Sequence, residues 1–109
     1  MDNPALVVYC TCPDSITAER IAETVVGERL AACVNIAPGL TSIYRWQGQV
    51  QRDAELLLII KTCSLRYPLL EARIRELHPY EIPEIIALPV QAGLAAYLHW
   101  ITASTEAPA

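Results

Sequence analysis

The sequence contains little of what several large functional classes require. Only 4 of its 109 residues are glycine, which leaves little room for a glycine-rich loop that binds phosphate. The net charge is −4 and the isoelectric point is near 5.0, so the chain lacks the basic excess that neutralises nucleic-acid phosphates. Its apolar runs, such as residues 56–60, are far too short to span a bilayer. We therefore expect no nucleic-acid partner and no membrane insertion.

The four cysteines occur without any Cys-x-x-Cys spacing, which argues against a structural zinc ribbon. Asp2 stands where a secretory signal would carry basic residues before an apolar core. We therefore expect reduced thiols and a cytoplasmic location. No pairing of a nucleophile with a base is recognisable, so we do not expect an enzyme.

An apolar content of 53% with 18% charged residues predicts one domain, residues 1–109, with a substantial core. Hydrophobic periodicity and turn residues predict the secondary structure. The expected strands cover residues 5–11, 33–46, 49–62 and 82–90. The expected helices cover residues 16–30, a segment capped by Ser64 and ended by Pro79, and residues 94–101. The order β-α-β-β-α-β predicts an α+β, ferredoxin-like sandwich with an antiparallel sheet and a short C-terminal helix.

The second and third strands should form a long hairpin around a tight turn at Gln47-Gly48. Pro38-Gly39 predicts a bend in its first arm. Arms of about 13 residues at ~3.3 Å per residue reach ~43 Å, whereas a compact chain of this size has a radius of gyration of ~13 Å. Part of the hairpin must therefore protrude, and its apolar tip predicts an oligomer that covers it. The apolar tip residues are Ile43, Tyr44, Trp46 and Val50.

Residues 78–84, with the sequence His-Pro-Tyr-Glu-Ile-Pro-Glu, place four ionisable side chains between two prolines. Each proline fixes its own φ and disfavours the α region for the residue before it. The segment should therefore hold its polar groups in place, which favours binding because ordered side chains lose less entropy. His78 is expected at the C-terminus of the second helix.

Several sequence blocks, taken in order, resemble the CutA family of divalent-cation-tolerance proteins over nearly the whole chain. The blocks are residues 10–14, 28–35, 42–48, 61–62 and 78–84. The resemblance implies a homotrimer related in architecture to the PII signalling proteins, with hairpins that pair across subunits. It also implies that copper or another divalent metal ion binds at Cys10 and His78. The resemblance implies a pair of adjacent histidines before the Pro-Tyr segment. His78 matches the second of them, and Leu77 occupies the place of the first.

A thiolate and an imidazole suit copper or zinc better than magnesium or calcium. Cys12 could add a third ligand, because residues i and i+2 of a strand face the same way, and Glu81 or Glu84 could add oxygen. The alternative is that the cysteines are small buried core residues and that His78 interacts with the end of the helix.

A second group of polar and aromatic residues could line a cleft between subunits and bind a small polar ligand. Its members are Trp46, Lys61, Tyr80, Glu81 and Glu84. The alternative is an interface in which Lys61 pairs with Glu81 or Glu84 and Trp46 packs as an anchor. Three functions follow: metal-ion tolerance through a trimeric metal-binding protein, a PII-like signalling or scaffold module, and a structural trimer that anchors another protein.

Overall fold

The computed structural model describes residues 3–107, so the ends of the predicted domain, residues 1–2 and 108–109, lie outside the described part. Seven elements follow one another along the chain. They are β1 (Ala5–Cys12), α1 (Ser15–Gly27), β2 (Cys33–Trp46), β3 (Gln49–Cys63), α2 (Tyr67–Leu77), β4 (Ile85–Pro89) and α3 (Ala95–Ser104). Within residues 3–107, no helix combines the length and the apolar character needed to cross a bilayer.

The four strands form one sheet in the order β2-β3-β1-β4, and every neighbouring pair is antiparallel. This confirms the ferredoxin-like α+β prediction, including the position of β4 at a sheet edge, where prolines cost the fewest ladder hydrogen bonds. The helices α1 and α2 contact each other, and α1 also contacts β1, β2 and β3. The sheet therefore carries the two helices as a second layer.

The core lies between the sheet and these helices. In β1 the fully buried residues Val8, Cys10 and Cys12 lie two apart, as expected for a strand with one face turned toward the core, and Thr11 between the cysteines is 7% exposed on the other face. The facing helical residues repeat at steps of three and four. They are Ala18, Ile21 and Val25 on α1 and Leu70 and Ile74 on α2, all fully buried. Both cysteines of the Cys-x-Cys pair thus point into the core.

The hairpin has the predicted turn and the predicted bend. Gln47 and Gly48 both have positive φ, 51° and 77°, as in the two-residue turns that match the twist of hairpin strands. Ala37 pairs with Leu57, and Leu40 pairs with Glu55. Two residues of β2, Pro38 and Gly39, therefore lie opposite one residue of β3. This is a β-bulge, and Gly39 supplies the required φ of 87°.

The protrusion of the hairpin is also confirmed. The molecule is 45 Å long and 27 Å and 22 Å across, with a radius of gyration of 14.5 Å. Near the tip, Ile43 and Val50 are 62% and 68% exposed. Large apolar side chains at this exposure need a partner surface to escape aggregation.

The bounds of α1 and α2 differ from the prediction. Helix α1 begins at Ser15, after the N-cap Asp14, and ends at Gly27 rather than at residue 30. Arg29 adopts a left-handed φ of 62° and the Leu30 N–H bonds back to the Val25 carbonyl, which closes the helix early. Helix α2 does not use Ser64 as its cap. It begins at Tyr67 after Arg66, because residues 64–66 form a separate turn in which the Arg66 N–H bonds to the Cys63 carbonyl.

The C-terminal elements also differ in length from the prediction. Strand β4 begins at Ile85 instead of residue 82, since Pro83 cannot donate to a ladder. Helix α3 continues to Ser104 instead of ending at residue 101. The Thr105 hydroxyl donates to the Ile101 carbonyl at 2.8 Å, so it satisfies a carbonyl that the helix end leaves free.

Candidate metal centre and adjoining cleft

Cys10 and Cys12 lie at the end of β1, on its buried face. Cys10 lies between Leu58 of β3 and Ile85 of β4, and Cys12 lies opposite Leu56. Both residues are fully buried and both thiols are free. The predicted same-face arrangement of the two cysteines is therefore present, inside the apolar core.

His78 is the C-cap of α2, as predicted, and the residue is 7% exposed. Its Nε2 donates to the Thr11 carbonyl at 2.7 Å, and its Nδ1 accepts from the Tyr80 N–H at 3.2 Å. Pro79 makes this second bond possible, because it ends the helix and turns the Tyr80 amide back toward the ring. The imidazole is thereby held against the end of β1, next to the two thiols.

The structure brings the ligand atoms of Cys10, Cys12 and His78 within 4.8 Å of one another. Metal–sulfur bonds of ~2.3 Å and metal–nitrogen bonds of ~2.0 Å place two ligand atoms of one ion up to ~4 Å apart. Small side-chain movements would therefore let one ion contact all three atoms. Binding through His78 would exchange one of its two present hydrogen bonds for the metal. The donor set of two sulfurs and one nitrogen fits a soft or borderline ion.

The acidic residues proposed as oxygen ligands lie elsewhere. Within residues 3–107, the only compact group of potential ligands is Cys10, Cys12 and His78, whereas Glu81 and Glu84 line the cleft described below. Leu77 packs against the core and carries no donor atom. Cys12 is therefore the residue placed to offer a third ligand atom beside Cys10 and His78.

Proximity changes the proton affinity of each group in the cluster. Interaction with Cys12 raises the pKa of the Cys10 thiol, and burial raises it further. Interaction with Cys10 lowers the pKa of Cys12 to about 6. Burial acts to raise this pKa, but the hydrogen bond and the charge of His78 act to lower it as well. Burial acts to lower the pKa of His78, but bonds to Cys12 and the Thr11 carbonyl raise it overall. One thiol thus loses its proton easily, and the thiolate is the form that binds metal.

A cleft of about 540 Å³ adjoins this cluster, between the hairpin and residues 80–84. Trp46, Tyr80, Glu81 and Glu84, four of the five residues predicted for a cleft, lie in its lining. Glu55 lines it as well, is only 8% exposed, and accepts a hydrogen bond from the Tyr80 hydroxyl at 2.7 Å.

Tyr80 connects the cleft with the cluster. Its ring centroid lies 4.7 Å from that of His78, and its amide and hydroxyl bond to His78 and Glu55 respectively. Burial, followed by the bond to Glu55, raises the pKa of Tyr80. The phenol therefore stays protonated and donates to Glu55 throughout the ordinary pH range.

Lys61, the fifth predicted cleft residue, lies outside the cleft within one subunit. It is six residues from Glu55 along β3, about 20 Å away at ~3.3 Å per residue. Its ammonium donates to Asn35 on the neighbouring strand. The ion pairs found within residues 3–107 join Arg73 to Glu28 and Glu76, so the suggested pairing of Lys61 with Glu81 or Glu84 is absent there.

Sequence reasoning missed Glu55, the most buried acidic residue of the site. The signal was its position directly before the apolar run of residues 56–60, where a solvated charge is unexpected. It also missed the Tyr44 hydroxyl, which donates to Asp53 across the hairpin. Both are residues of the hairpin arms, whose surroundings depend on contacts distant in sequence.

Comparison with known proteins places this geometry in a family. The model of the CutA1 divalent ion tolerance protein matches residues 6–104. The chain belongs to the CutA1 family. The divalent-cation tolerance protein CutA of Thermus thermophilus is 54% identical over 99 residues, which cover 91% of this chain and 96% of that protein. Mouse Protein CutA is 50% identical over 98 residues, but this chain spans only 55% of its length.

Solved structures of the CutA1 family share the fold closely. The structure of the Thermus thermophilus protein superposes with a TM-score of 0.92 at 53% identity, covering 94% of this chain and 99% of that one. CutA from Xylella fastidiosa gives the same TM-score and coverage at 43% identity. The sheet order and the long hairpin described above are therefore the CutA1 architecture.

Proposed function

We propose that this CutA1 family member binds a soft or borderline metal ion, copper first and zinc second, and contributes to metal-ion tolerance. The observation that carries the proposal is the convergence of Cys10, Cys12 and His78 within 4.8 Å. The names of its relatives support the tolerance role, since they are called divalent-cation tolerance proteins. The protein acts by binding and not by catalysis.

The donor chemistry favours copper and zinc over harder ions. Two thiolate sulfurs and an imidazole nitrogen select copper(I) or zinc over the hard ions magnesium and calcium, which require oxygen ligands. The lowered pKa of Cys12 provides one thiolate without strong base. Burial of the cluster also limits the access of water to a bound ion.

Metal titration tests the proposal directly. Copper(I), added anaerobically in competition with a chromogenic chelator, and zinc are titrated into wild type, Cys10→Ser, Cys12→Ser and His78→Ala. Each substitution should weaken binding, whereas Cys33→Ser, at a half-buried thiol outside the cluster, should not. Far-UV circular dichroism verifies that each variant is folded. Undiminished binding in Cys10→Ser and His78→Ala would remove these residues from the metal site.

A homotrimer and a cytoplasmic location complete the proposal. Exposed apolar residues on the hairpin tip and on β4 support an assembly, because Ile43, Val50, Ile86 and Leu88 are each at least 43% exposed. Sedimentation velocity should give three times the 12.0 kDa chain mass, and Ile86→Asp should shift the distribution toward monomer. A monomer at micromolar concentration would contradict the assembly.

The cleft favours a second candidate function, a PII-like signalling or scaffold module. Its volume of about 540 Å³ suits a small ligand, and it contains four side chains expected there from sequence. Thermal-shift screening separates the two functions, since a ligand stabilises the state that it binds. If a metabolite raises the melting temperature and copper and zinc do not, the signalling or scaffold function is favoured over metal binding.

A further inference from the structure

The cleft between the hairpin and residues 80–84 has the dimensions of a small-molecule site. Its volume of about 540 Å³ falls within the ~300–1,000 Å³ typical of ligand pockets. One wall is the hairpin, which contributes Tyr44, Trp46 and Glu55, and the other is the proline-stiffened segment that contributes Tyr80 and Glu84. A stiff wall loses little entropy when a ligand binds.

The charged groups of the cleft are of one sign. Glu55, Glu81 and Glu84 line it, and no lysine, arginine or histidine does so within the described residues 3–107. Such a lining repels anions. Within the described part of one subunit, no side chain complements this charge.

Glu55 is the residue that most needs such a complement. It is only 8% exposed, and its one hydrogen bond within the described chain comes from the Tyr80 hydroxyl to Oε2. Its other carboxylate oxygen, Oε1, has no hydrogen-bond donor among residues 3–107 and is not a fully buried atom, so it is accessible from the cleft. No cation among the same residues pairs with the group. Buried carboxylates are ordinarily paired with a cation or fully hydrogen-bonded. Here the carboxylate faces a cavity instead.

The aromatic side chains of the cleft add a second attraction for cations. Tyr44, Trp46 and Tyr80 are between 36% and 43% exposed, so parts of their rings are open to the cleft. An ammonium or guanidinium over such a ring gains cation–π attraction, strongest for tryptophan. The apolar side chain of Ile82 completes the lining and suits a hydrocarbon body.

The two phenol hydroxyls of the cleft are already engaged as donors. Tyr80 donates to Glu55, and Tyr44 donates to Asp53. The lining therefore offers carboxylate oxygens and π faces, and its remaining hydroxyls belong to Thr11 and Ser42. The acceptors outnumber the donors, so a ligand that donates several hydrogen bonds fits this lining better than one that needs donors.

We infer that the cleft binds an organic cation, an ammonium or guanidinium group on a short apolar chain, with Glu55 and Trp46 as its principal contacts. This inference names the ligand chemistry of the second candidate function and rests on it. It does not depend on metal binding at Cys10, Cys12 and His78.

Agmatine is a suitable probe, because it carries a guanidinium and an ammonium on a four-carbon chain. Isothermal titration calorimetry of the purified assembled protein at 0.15 M salt should detect agmatine. Butane-1,4-diol, the neutral analogue, and succinate, the anionic one, should bind at least ~10-fold more weakly. In ¹H–¹⁵N spectra the indole signal of Trp46 should move on addition of agmatine, while that of Trp100 on α3 should not.

Substitutions locate the site. Glu55→Gln should weaken agmatine binding at least ~10-fold, as expected when one partner of a buried charge pair is removed. Trp46→Leu should weaken it ~3- to 10-fold through the lost cation–π contact. Glu19→Gln, which removes the same charge from the exposed face of α1, should change it less than ~2-fold. If Glu55→Gln fails to fold, Glu84→Gln in the lining should still weaken binding ~2- to 3-fold.

Three results would overturn the inference. The first is equal binding by Glu55→Gln and Glu19→Gln. The second is equal affinity for agmatine and the diol. The third is the absence of agmatine binding by the assembled protein. Cys10→Ser separates the two proposals, because it should lose metal affinity and retain agmatine affinity.

Discussion

The hydrogen bond between Tyr80 and Glu55 should be among the strongest polar contributions to the stability of this fold. Tyr80→Phe removes the hydroxyl and leaves the ring in place, so packing against His78 is retained. The substitution also withdraws the donor from a carboxylate that is only 8% exposed. We expect a loss of stability that depends on the charge of Glu55.

The magnitude follows from the burial of the two partners. Hydrogen bonds to charged groups contribute about 1.5–3 kcal/mol, and the 37% exposure of Tyr80 favours the lower end, about 1.5–2 kcal/mol. In a Glu55→Gln background the acceptor is a neutral amide, so the same substitution should cost about 0.5–1 kcal/mol. The coupling between the two positions is then ~1 kcal/mol.

Urea unfolding at one fixed protein concentration measures these differences, because the stability of an oligomer depends on concentration. Tyr44→Phe is the matched control. It removes a hydroxyl that also donates to a carboxylate, Asp53, but at the exposed hairpin, where the cost should be at most ~0.5 kcal/mol. Equal costs for Tyr80→Phe and Tyr44→Phe, or a cost unaffected by Glu55→Gln, would refute the reasoning.

The pH dependence provides a further check. The folded pKa of Tyr80 is raised, first by burial and then by Glu55. A raised pKa gives stability that is fully present below the unfolded value, near ~10, and is lost as the pH rises through the folded value. The cost of Tyr80→Phe should therefore be the same at pH 7 and at pH 9.

The same unfolding assay tests three other positions. Asp14→Ala should cost about 1 kcal/mol, because the carboxylate caps α1 by accepting from the Thr17 N–H at 2.8 Å; no loss would show that the cap is dispensable. Gly48→Ala should destabilise by about 1 kcal/mol, since φ is 77° there. Gly27→Ala is the control, because a Cβ there would meet open space and φ is not positive, so this substitution should be neutral or stabilising. Equal changes in stability for Gly48→Ala and Gly27→Ala would show that the turn is not strained by a Cβ. Ile74→Ala should cost about 2–5 kcal/mol as a buried core residue, against under ~0.5 kcal/mol for Leu69→Ala, which is 54% exposed.

Local chemistry predicted the parts of the fold that depend on few residues. Pro38-Gly39 predicted the bulge because one residue lacks an N–H and the other tolerates positive φ. Gln47-Gly48 predicted the turn, and Pro79 predicted the helix end that positions His78. Helix ends without such a residue were misplaced, because Arg29 and residues 64–66 adopt their conformations through contacts with other elements.

The metal cluster was predicted from two sources. Cys10 and Cys12 share a face by strand alternation, and the resemblance to the CutA family joined His78 to Cys10. Glu55 was missed, because the Tyr80 hydroxyl that bonds to it belongs to a segment 25 residues away. Lys61 lies at the opposite end of β3 from Glu55, so its place in a cleft between subunits stays a prediction.

The single extra residue at the bulge decides what the cleft is made of. Side chains alternate along a strand, so a shift of pairing by one residue moves each of them to the other face. With the bulge, Tyr44 pairs with Gln51 and Trp46 with Gln49, on the same face as Glu55. If β2 instead paired regularly through Gly39, Ile43 and Arg45 would take those two places, and a guanidinium would stand where the indole is now. The same 14 residues of β2 thus encode two different walls, one aromatic and one basic, and the bulge selects which of them the cleft receives.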